Sequence, residues 1–355
     1  MKETLNELTN PRPDQIDADP IDWLERLAGP TVIWIDGRES ARTRAVVTLL
    51  HGNEPSGLLA IHSILRSGEV PLTNLLLVIV SVEAALLEPR FRYRAYPQER
   101  DMNRSFNPPH QDSAGRLALA VLNRLKAAQQ STDLEAVLDV HNTSGQSPSF
   151  AVATIEQRSH EILAAVFTQR LVITELRLGS LMEQSTVECP VVTVECGGAQ
   201  ETQSHALAEQ GLRTFMQREN LFELDHAVDM DLYHDPVRFE LEQRLTLAFA
   251  EAPVLGVDLT LLDQVDQFNF KLVPAGVQIG WIRDPDVVKH LRVIDARGNN
   301  RFDQYFEICG NRLQTKATQK LFMVTTRPDI ALSDCLLYSA FETEHARVHL
   351  DERTN

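Results

Sequence analysis

Segments with the pattern of buried strands alternate with segments of helical periodicity through the first two-thirds of this 355-residue chain. Short apolar runs, such as AVVTLL at 45–50 and LLLVIV at 75–80, are typical of strands that are buried on both faces. Between such runs lie segments like AGRLALAVLNRLKAAQQ at 114–130, whose apolar spacing predicts a helix. This order of elements predicts an α/β fold with a mixed, mainly parallel sheet and helices on both faces.

The pattern changes in the last third of the chain. In PVRFELEQ, at 236–243, every second residue is apolar, which is typical of a strand with one buried face. Later short runs, such as VQIGWI at 277–282 and CLLYSAF at 335–341, are separated by turn residues. The sequence therefore predicts two domains, an α/β domain at 1–235 and a smaller β-rich domain at 236–355.

Charge and hydropathy exclude several classes of partner. A net charge of −16 argues against nucleic acid, because binding a polyanion normally requires a basic surface. The polar N-terminus has no apolar signal segment, and the longest apolar stretch is too short to cross a bilayer. The four cysteines show no CxxC spacing, which fits a reducing compartment. These features predict a cytoplasmic protein that binds neither nucleic acid nor a membrane.

One basic segment contrasts with this acidic composition. RFRYRAYPQERDMNR, at 90–104, contains five arginines, among them Arg94, Arg100 and Arg104. Such a cluster suggests a site for a small anion, because a guanidinium group presents a planar pair of donors to a carboxylate. The alternative for each arginine is a solvated loop in which it pairs with one of the surplus carboxylates.

Common nucleotide and hydrolase motifs are absent from the sequence. No GxG occurs, which excludes the dinucleotide fingerprint, and no glycine precedes a lysine, which excludes a P-loop. Neither GxSxG nor HExxH is present. A hydrolytic site must therefore be built from other residues.

Histidine and glutamate side chains follow two of the predicted buried strands. His51 and Glu54 lie in HGNEPSG after the first, and His141 lies in AVLDVHNTSG at the end of the second. The carboxyl ends of strands meet at one edge of an open α/β sheet, and two imidazoles with a carboxylate suit Zn²⁺. Asp139 shares a strand face with His141 and is a candidate to orient it. The alternatives are a loop histidine beside a solvated glutamate, and a buried aspartate bonded to the backbone.

Glu195 ends a third predicted strand, in VVTVECGG, where two glycines permit a sharp turn. A carboxylate beside a metal site can take a proton from attacking water and return it to the leaving amine. Glu195 is therefore the candidate general base. Taken by itself, this residue favours the alternative of a strand-terminal glutamate that faces solvent; the other two strand ends reverse that preference.

The motifs HGNE, RDMNRSF, DVHNTSG and VTVECGG, in this order and at these separations, resemble those of the succinylglutamate desuccinylase and aspartoacylase family. This family lies within the zinc carboxypeptidase-like superfamily, and the resemblance covers residues of about 40 to 230. It implies a zinc-carboxypeptidase-like fold with a β-rich C-terminal domain. It also implies one zinc ion per chain, held by His51, Glu54 and His141, with Glu195 as general acid and base.

The same resemblance implies roles for part of the basic segment. Asn103 and Arg104 of DMNR would bind a carboxylate of the substrate, and an arginine upstream would polarise the scissile carbonyl group. Arg94 is the nearest equivalent of that upstream arginine, although the YPQER segment before DMNR is longer than the family pattern. Arg100 is the alternative and a further candidate for substrate binding.

The resemblance predicts a zinc-dependent hydrolase that cleaves the linear, non-peptide amide bond of an N-acyl amino acid by attack of a metal-activated water. The substrate would be a small anionic acyl amino acid. The alternatives are a carboxypeptidase-like or peptide amidase activity at the same zinc site, and a metal-binding family member without catalysis. The sequence leaves open which acyl group is removed, and it fixes no oligomeric state beyond the general prevalence of homodimers.

Overall fold

The computed structural model describes residues 2–223, 227–341 and 343–348, and for 343–347 it describes the backbone only. The strands are β1 Asn6–Thr9, β2 Thr31–Ile35, β3 Glu39–Thr48, β4 Thr73–Ile79, β5 Asp133–Thr143, β6 Phe150–Ala153, β7 Arg170–Ile173, β8 Val191–Gly198, β9 Val228–His234, β10 Val237–Leu241, β11 Leu247–Phe249, β12 Leu259–Leu261, β13 Leu272–Val273, β14 Gln278–Ile282, β15 Leu291–Ile294, β16 Phe306–Cys309, β17 Arg312–Thr315, β18 Gln319–Phe322, β19 Leu337–Ala340 and β20 Thr343–Val348. The α-helices are α1 Pro20–Leu27, α2 Ser56–Ser67, α3 Val82–Leu86, α4 Ser113–Ser131, α5 Arg158–Ala165, α6 Thr202–Gln217, α7 Phe302–Tyr305 and α8 Pro328–Ser333.

Ten strands form one large sheet in the order β1-β2-β4-β3-β5-β8-β6-β7-β9-β20. Six of its nine neighbouring pairs are parallel, and the other three are antiparallel. The three strands β3, β5 and β8 are neighbours and mutually parallel near the centre of the sheet. Their carboxyl ends therefore lie side by side at one edge.

Helices cover both faces of this sheet, which explains why its central strands are apolar at successive positions. On β3, Val46 packs in a core with residues of α2 and α6. Its neighbours Ala45 and Val47 point to the opposite face and pack in a second core with residues of α4. The predicted mixed, mainly parallel sheet with helices on both faces is confirmed.

The C-terminal part contains two five-stranded sheets, β13-β18-β19-β10-β15 and β11-β12-β14-β17-β16. Their strand pairs are antiparallel except for β11 with β12. Phe239 of the first sheet and Leu313 of the second belong to one apolar core, so the predicted β-rich region has a core of its own. The chain then returns to the large sheet, where β20 pairs with β9. The division at residue 235 stays a prediction.

Among the described residues, the helices are too short or too polar to cross a lipid bilayer.

Candidate active site

The candidate site lies at the carboxyl ends of β3, β5 and β8. His51 and Glu54 lie in the turn between β3 and α2, and His141 lies near the end of β5. Glu195 of β8 is the registered partner of His141. Because registered residues on neighbouring strands point to the same face, the pairing places Glu195 beside His141. The structure therefore brings together the four residues predicted from three separate strand ends.

The turn that carries His51 and Glu54 is held in place by small residues and by one asparagine. A Cβ atom at Gly52 would lie 2.7 Å from the backbone of α3, and one at Gly57 would overlap the hydroxyl of Thr48 on β3. Asn142 accepts a hydrogen bond from the backbone N–H of Ser56 at 3.0 Å. Glycine at these positions thus lets α2 begin directly against the sheet, which fixes where the turn projects.

His51, Glu54 and His141 offer ligand atoms that all lie within 4.8 Å of one another, and all three residues are buried. Nδ1 of His51 is 2.9 Å from Oε1 of Glu54, and Nδ1 of His141 is 2.6 Å from Oε2. Both imidazoles therefore turn the same ring nitrogen toward the carboxylate. Two imidazoles and one carboxylate are a donor set found in catalytic zinc sites, so the residues fit a divalent metal ion.

The second ring nitrogen of each histidine faces an aspartate. Nε2 of His141 is 2.8 Å from Oδ1 of Asp139, and Nε2 of His51 is 3.0 Å from Oδ1 of Asp101. Such a bond holds the imidazole orientation and leaves Nδ1 free to bind a cation. Strand alternation predicts the position of Asp139. Sequence reasoning did not assign this role to Asp101, although it is the first residue of the DMNR motif.

Close contact shifts the pKa values of these groups. Burial disfavours the charged form of Glu54, but the charges of His51 and His141 outweigh it and lower the pKa of this carboxyl. Burial also opposes protonation of His141, yet the carboxylates of Asp139 and Glu54 raise its pKa well above the ordinary value. Since a metal ion requires neutral imidazoles, protons and a metal ion compete for this cluster.

Glu195 is buried, and its Oε2 atom has no hydrogen-bond partner among the residues that the structure describes. Burial, and then the nearby charge of Glu54, raise the pKa of Glu195 to about 7. A buried polar atom without a partner is uncommon, because leaving it unpaired costs free energy. Oε2 is therefore placed to receive a hydrogen bond from a bound water or substrate.

The two candidates for the polarising arginine lie in different surroundings. Arg94 lines the pocket, donates from Nε to Oδ2 of Asp101 at 2.8 Å, and has Nη1 3.6 Å from Oε1 of Glu54. Arg100 is half-exposed and pairs with Asp112 at 2.9 Å, outside the set of residues that line the pocket. The structure thus brings Arg94 to the cluster and leaves Arg100 apart from it.

Asn103 and Arg104 also line the pocket, in a single helical turn at Met102–Arg104. Oδ1 of Asn103 accepts a hydrogen bond from the backbone N–H of Leu181 at 2.9 Å. Arg104 donates from Nη2 to Oδ1 of Asp334 at 2.8 Å. Two of the three predicted substrate-binding residues are therefore at the site, and each already contacts another part of the chain. The third, Arg100, does not line the pocket.

The pocket has a volume of about 960 Å³, including its open mouth. Apolar residues from two parts of the chain contribute to its lining, and we name this group the apolar wall: Val152, Val172, Leu176, Met182, Phe322 and Ile330. Sequence reasoning missed these residues and Asp334, because no motif distinguishes them from ordinary core residues.

Residues 40–218, just over half of the chain, match the model of the succinylglutamate desuccinylase/aspartoacylase catalytic domain. The chain belongs to this family. The predicted family is thus confirmed, and family membership indicates a hydrolase of the deacylase type. A comparison with curated proteins finds no match.

Three solved structures show the same fold. Murine aminoacylase 3 is 17% identical, with a TM-score of 0.54 over 89% of this chain and 100% of that chain. Succinylglutamate desuccinylase from Chromobacterium violaceum is 15% identical, with a TM-score of 0.51 over 86% and 85%. The desuccinylase from Vibrio cholerae is 14% identical, with a TM-score of 0.52 over 88% and 86%. At these identities the likeness shows the fold alone.

Proposed function

We propose that the protein is a zinc-dependent hydrolase that cleaves the amide bond of an N-acyl amino acid. One observation carries the proposal: the ligand atoms of His51, Glu54 and His141 converge beside the unpaired carboxylate oxygen of Glu195. Family membership supports the deacylase class. The zinc ion and the N-acyl amino acid are the proposed parts of this function.

His51, Glu54 and His141 would hold the zinc ion. When bound, zinc supplies Lewis-acid chemistry, because it acidifies water and polarises a carbonyl oxygen. Asp101 and Asp139 hold the imidazole rings from behind, at 3.0 and 2.8 Å, so the two histidines keep one orientation.

Glu195 performs the proton transfers. Its carboxylate accepts a proton from the attacking water while the water oxygen forms a bond to the carbonyl carbon of the substrate. The same carboxyl group then gives that proton to the amide nitrogen, the carbon–nitrogen bond breaks, and the amine leaves with both electrons. The products are a carboxylic acid and an amino acid, and Glu195 returns to its starting state.

The pocket arginines act on the two ends of the substrate. Arg94 lies beside Glu54, from where its guanidinium can stabilise the negative charge that develops on the carbonyl oxygen. A well-placed donor at such a position contributes about 3 to 4 kcal/mol to transition-state stabilisation. Asn103 and Arg104 would hold the carboxylate of the amino acid, which fixes the amide bond over the cluster.

The variant Glu195→Gln tests the proposed chemistry, because it removes the proton acceptor and keeps the side-chain volume. We expect it to retain zinc and to lose about 10²- to 10⁴-fold in kcat on N-acyl amino acids. His51→Ala should lose both zinc and turnover. Glu188→Gln, an exposed position before β8, is the matched control and should behave like the wild type.

Full activity of a zinc-loaded Glu195→Gln protein would refute the role of Glu195. Peptides with a free carboxyl end belong in the same assay. Cleavage of these peptides in place of N-acyl amino acids would assign the site to carboxypeptidase-like chemistry instead.

A further inference from the structure

Asp334 places a carboxylate of the chain itself inside the arginine cluster of the pocket. It follows α8 directly and lines the pocket, with a side chain that is 12% exposed. Its Oδ1 accepts from Arg104 at 2.8 Å, and its Oδ2 accepts from Arg94 at 3.3 Å. Arg238 of β10 donates to its backbone carbonyl at 2.6 Å and also to Oδ1. Three guanidinium groups therefore hold one carboxylate in a fixed position.

This arrangement satisfies the positive charges that line the pocket. Among the described residues of the lining, the arginines are Arg94 and Arg104, and the carboxylates belong to Glu54, Glu195 and Asp334. Arg94 pairs with Asp334 and with a second aspartate behind it, and Arg104 pairs with Asp334. One substrate carboxylate can share Arg104, but a second one would find no unpaired guanidinium group among the described residues of the lining.

The remaining lining contains hydroxyl-bearing residues, such as Ser144, Thr174 and Thr325, together with the apolar wall. The apolar wall consists of six residues that are each at most 9% exposed, from β6, β7, the segments that follow β7, β18 and α8. An ionised group pressed against such residues loses its hydration without gaining a partner, whereas an apolar group gains from leaving water. Asp334 and the apolar wall thus both favour a substrate with an apolar side chain over one with a second carboxylate.

We propose that Asp334 is a specificity-determining residue that excludes a second carboxylate, so that the enzyme acts on N-acyl amino acids that carry one carboxylate and are otherwise apolar. This inference rests on the proposed function and narrows its substrate class. It sets the protein apart from enzymes whose substrates carry two or more carboxylates, such as N-acyl aspartate and N-succinyl glutamate. The position of Asp334 on Arg104 is the feature that makes the distinction.

The test compares N-acetyl-leucine with N-acetyl-aspartate, two substrates with the same scissile bond and side chains of similar size. For the zinc-loaded wild type we expect kcat/KM to be at least about tenfold higher for N-acetyl-leucine. Asp334→Asn removes the charge and keeps an oxygen that can accept from the arginines. It should raise kcat/KM for N-acetyl-aspartate by about tenfold and change the value for N-acetyl-leucine much less.

Asp329→Asn is the matched control, because Asp329 is exposed on α8, the helix that Asp334 follows, and pairs with Arg327. Zinc content and thermal melting of each variant separate a change in selectivity from a loss of folding. Faster hydrolysis of N-acetyl-aspartate by the wild type would overturn the inference and leave the proposed function standing. A folded, zinc-loaded Asp334→Asn protein with unchanged selectivity would overturn it as well. If the wild type hydrolyses none of the N-acyl amino acids, the proposed function itself fails.

Discussion

Replacing Asp139 with asparagine tests whether the aspartates bonded to His141 and His51 strengthen metal binding by these histidines. Asp139 is fully buried, its Oδ1 atom is 2.8 Å from Nε2 of His141, and its Oδ2 atom accepts a hydrogen bond from Thr193 at 3.0 Å. Asparagine has the same shape and keeps one oxygen for the imidazole. The variant therefore loses mainly the negative charge that makes His141 a stronger donor to a cation.

The expected size of the effect follows from this geometry. Loss of a partner behind a metal ligand weakens metal binding by about 10- to 100-fold, or about 1.4 to 2.7 kcal/mol. Because Asp139→Asn retains the shape and one hydrogen bond, and because His51 keeps its own aspartate, we expect the lower end, about tenfold. The distance between the histidine rings should stay the same.

Competition with a chromophoric chelator measures the zinc affinity of the wild type and the variant. Asp133→Asn, an exposed position at the start of the same strand, is the control and should bind zinc as tightly as the wild type. Equal zinc affinity in a folded Asp139→Asn protein would refute the reasoning, because it would show that the negative charge of Asp139 does not strengthen zinc binding by His141.

Three further predictions concern stability. Glu135→Gln should lower the free energy of unfolding by about 3 kcal/mol in urea, because it leaves the fully buried Arg44 without the carboxylate that lies 2.6 Å away; unchanged stability would contradict this. Gly57→Ala should lower the free energy of unfolding by about 1 to 3 kcal/mol, because its new methyl group would overlap Thr48. Thermal melting measures this loss, and an unchanged melting temperature would contradict it. Burial lowers the pKa of His160 to about 4, while the unfolded chain takes up this proton near pH 6.5. The unfolded state therefore binds more protons between these values, so the free energy of unfolding should fall as pH falls from 6.5 to 4, and more steeply than in His160→Gln. Equal slopes would refute this contribution.

The convergence of His51, Glu54 and His141 could be predicted from the sequence because these residues follow apolar strands. His51, His141 and Glu195 each follow or end a run that reads as a buried strand, and parallel strands bring their carboxyl ends to one edge. The register of β5 with β8 then sets Glu195 beside His141. Local sequence patterns are therefore enough to predict that these residues lie close together.

Other parts of the site depend on contacts between distant segments. Asp334 comes from the C-terminal region, and only the folded chain brings it to Arg104. The apolar wall has the composition of an ordinary core, so its exposure to the pocket cannot be read from the pattern. The path of the loop between Arg94 and Arg100 likewise decides which of the two reaches the cluster. These features are tertiary, and hydrophobic periodicity carries no information about them.

Metal content is the most direct measurement of the central claim. After incubation with zinc and removal of excess metal, elemental analysis should find one zinc ion per chain in the wild type. His51→Ala and His141→Ala should each retain almost none, because each removes one of the three proposed ligands. Stoichiometric zinc in both variants, with wild-type affinity, would contradict the account.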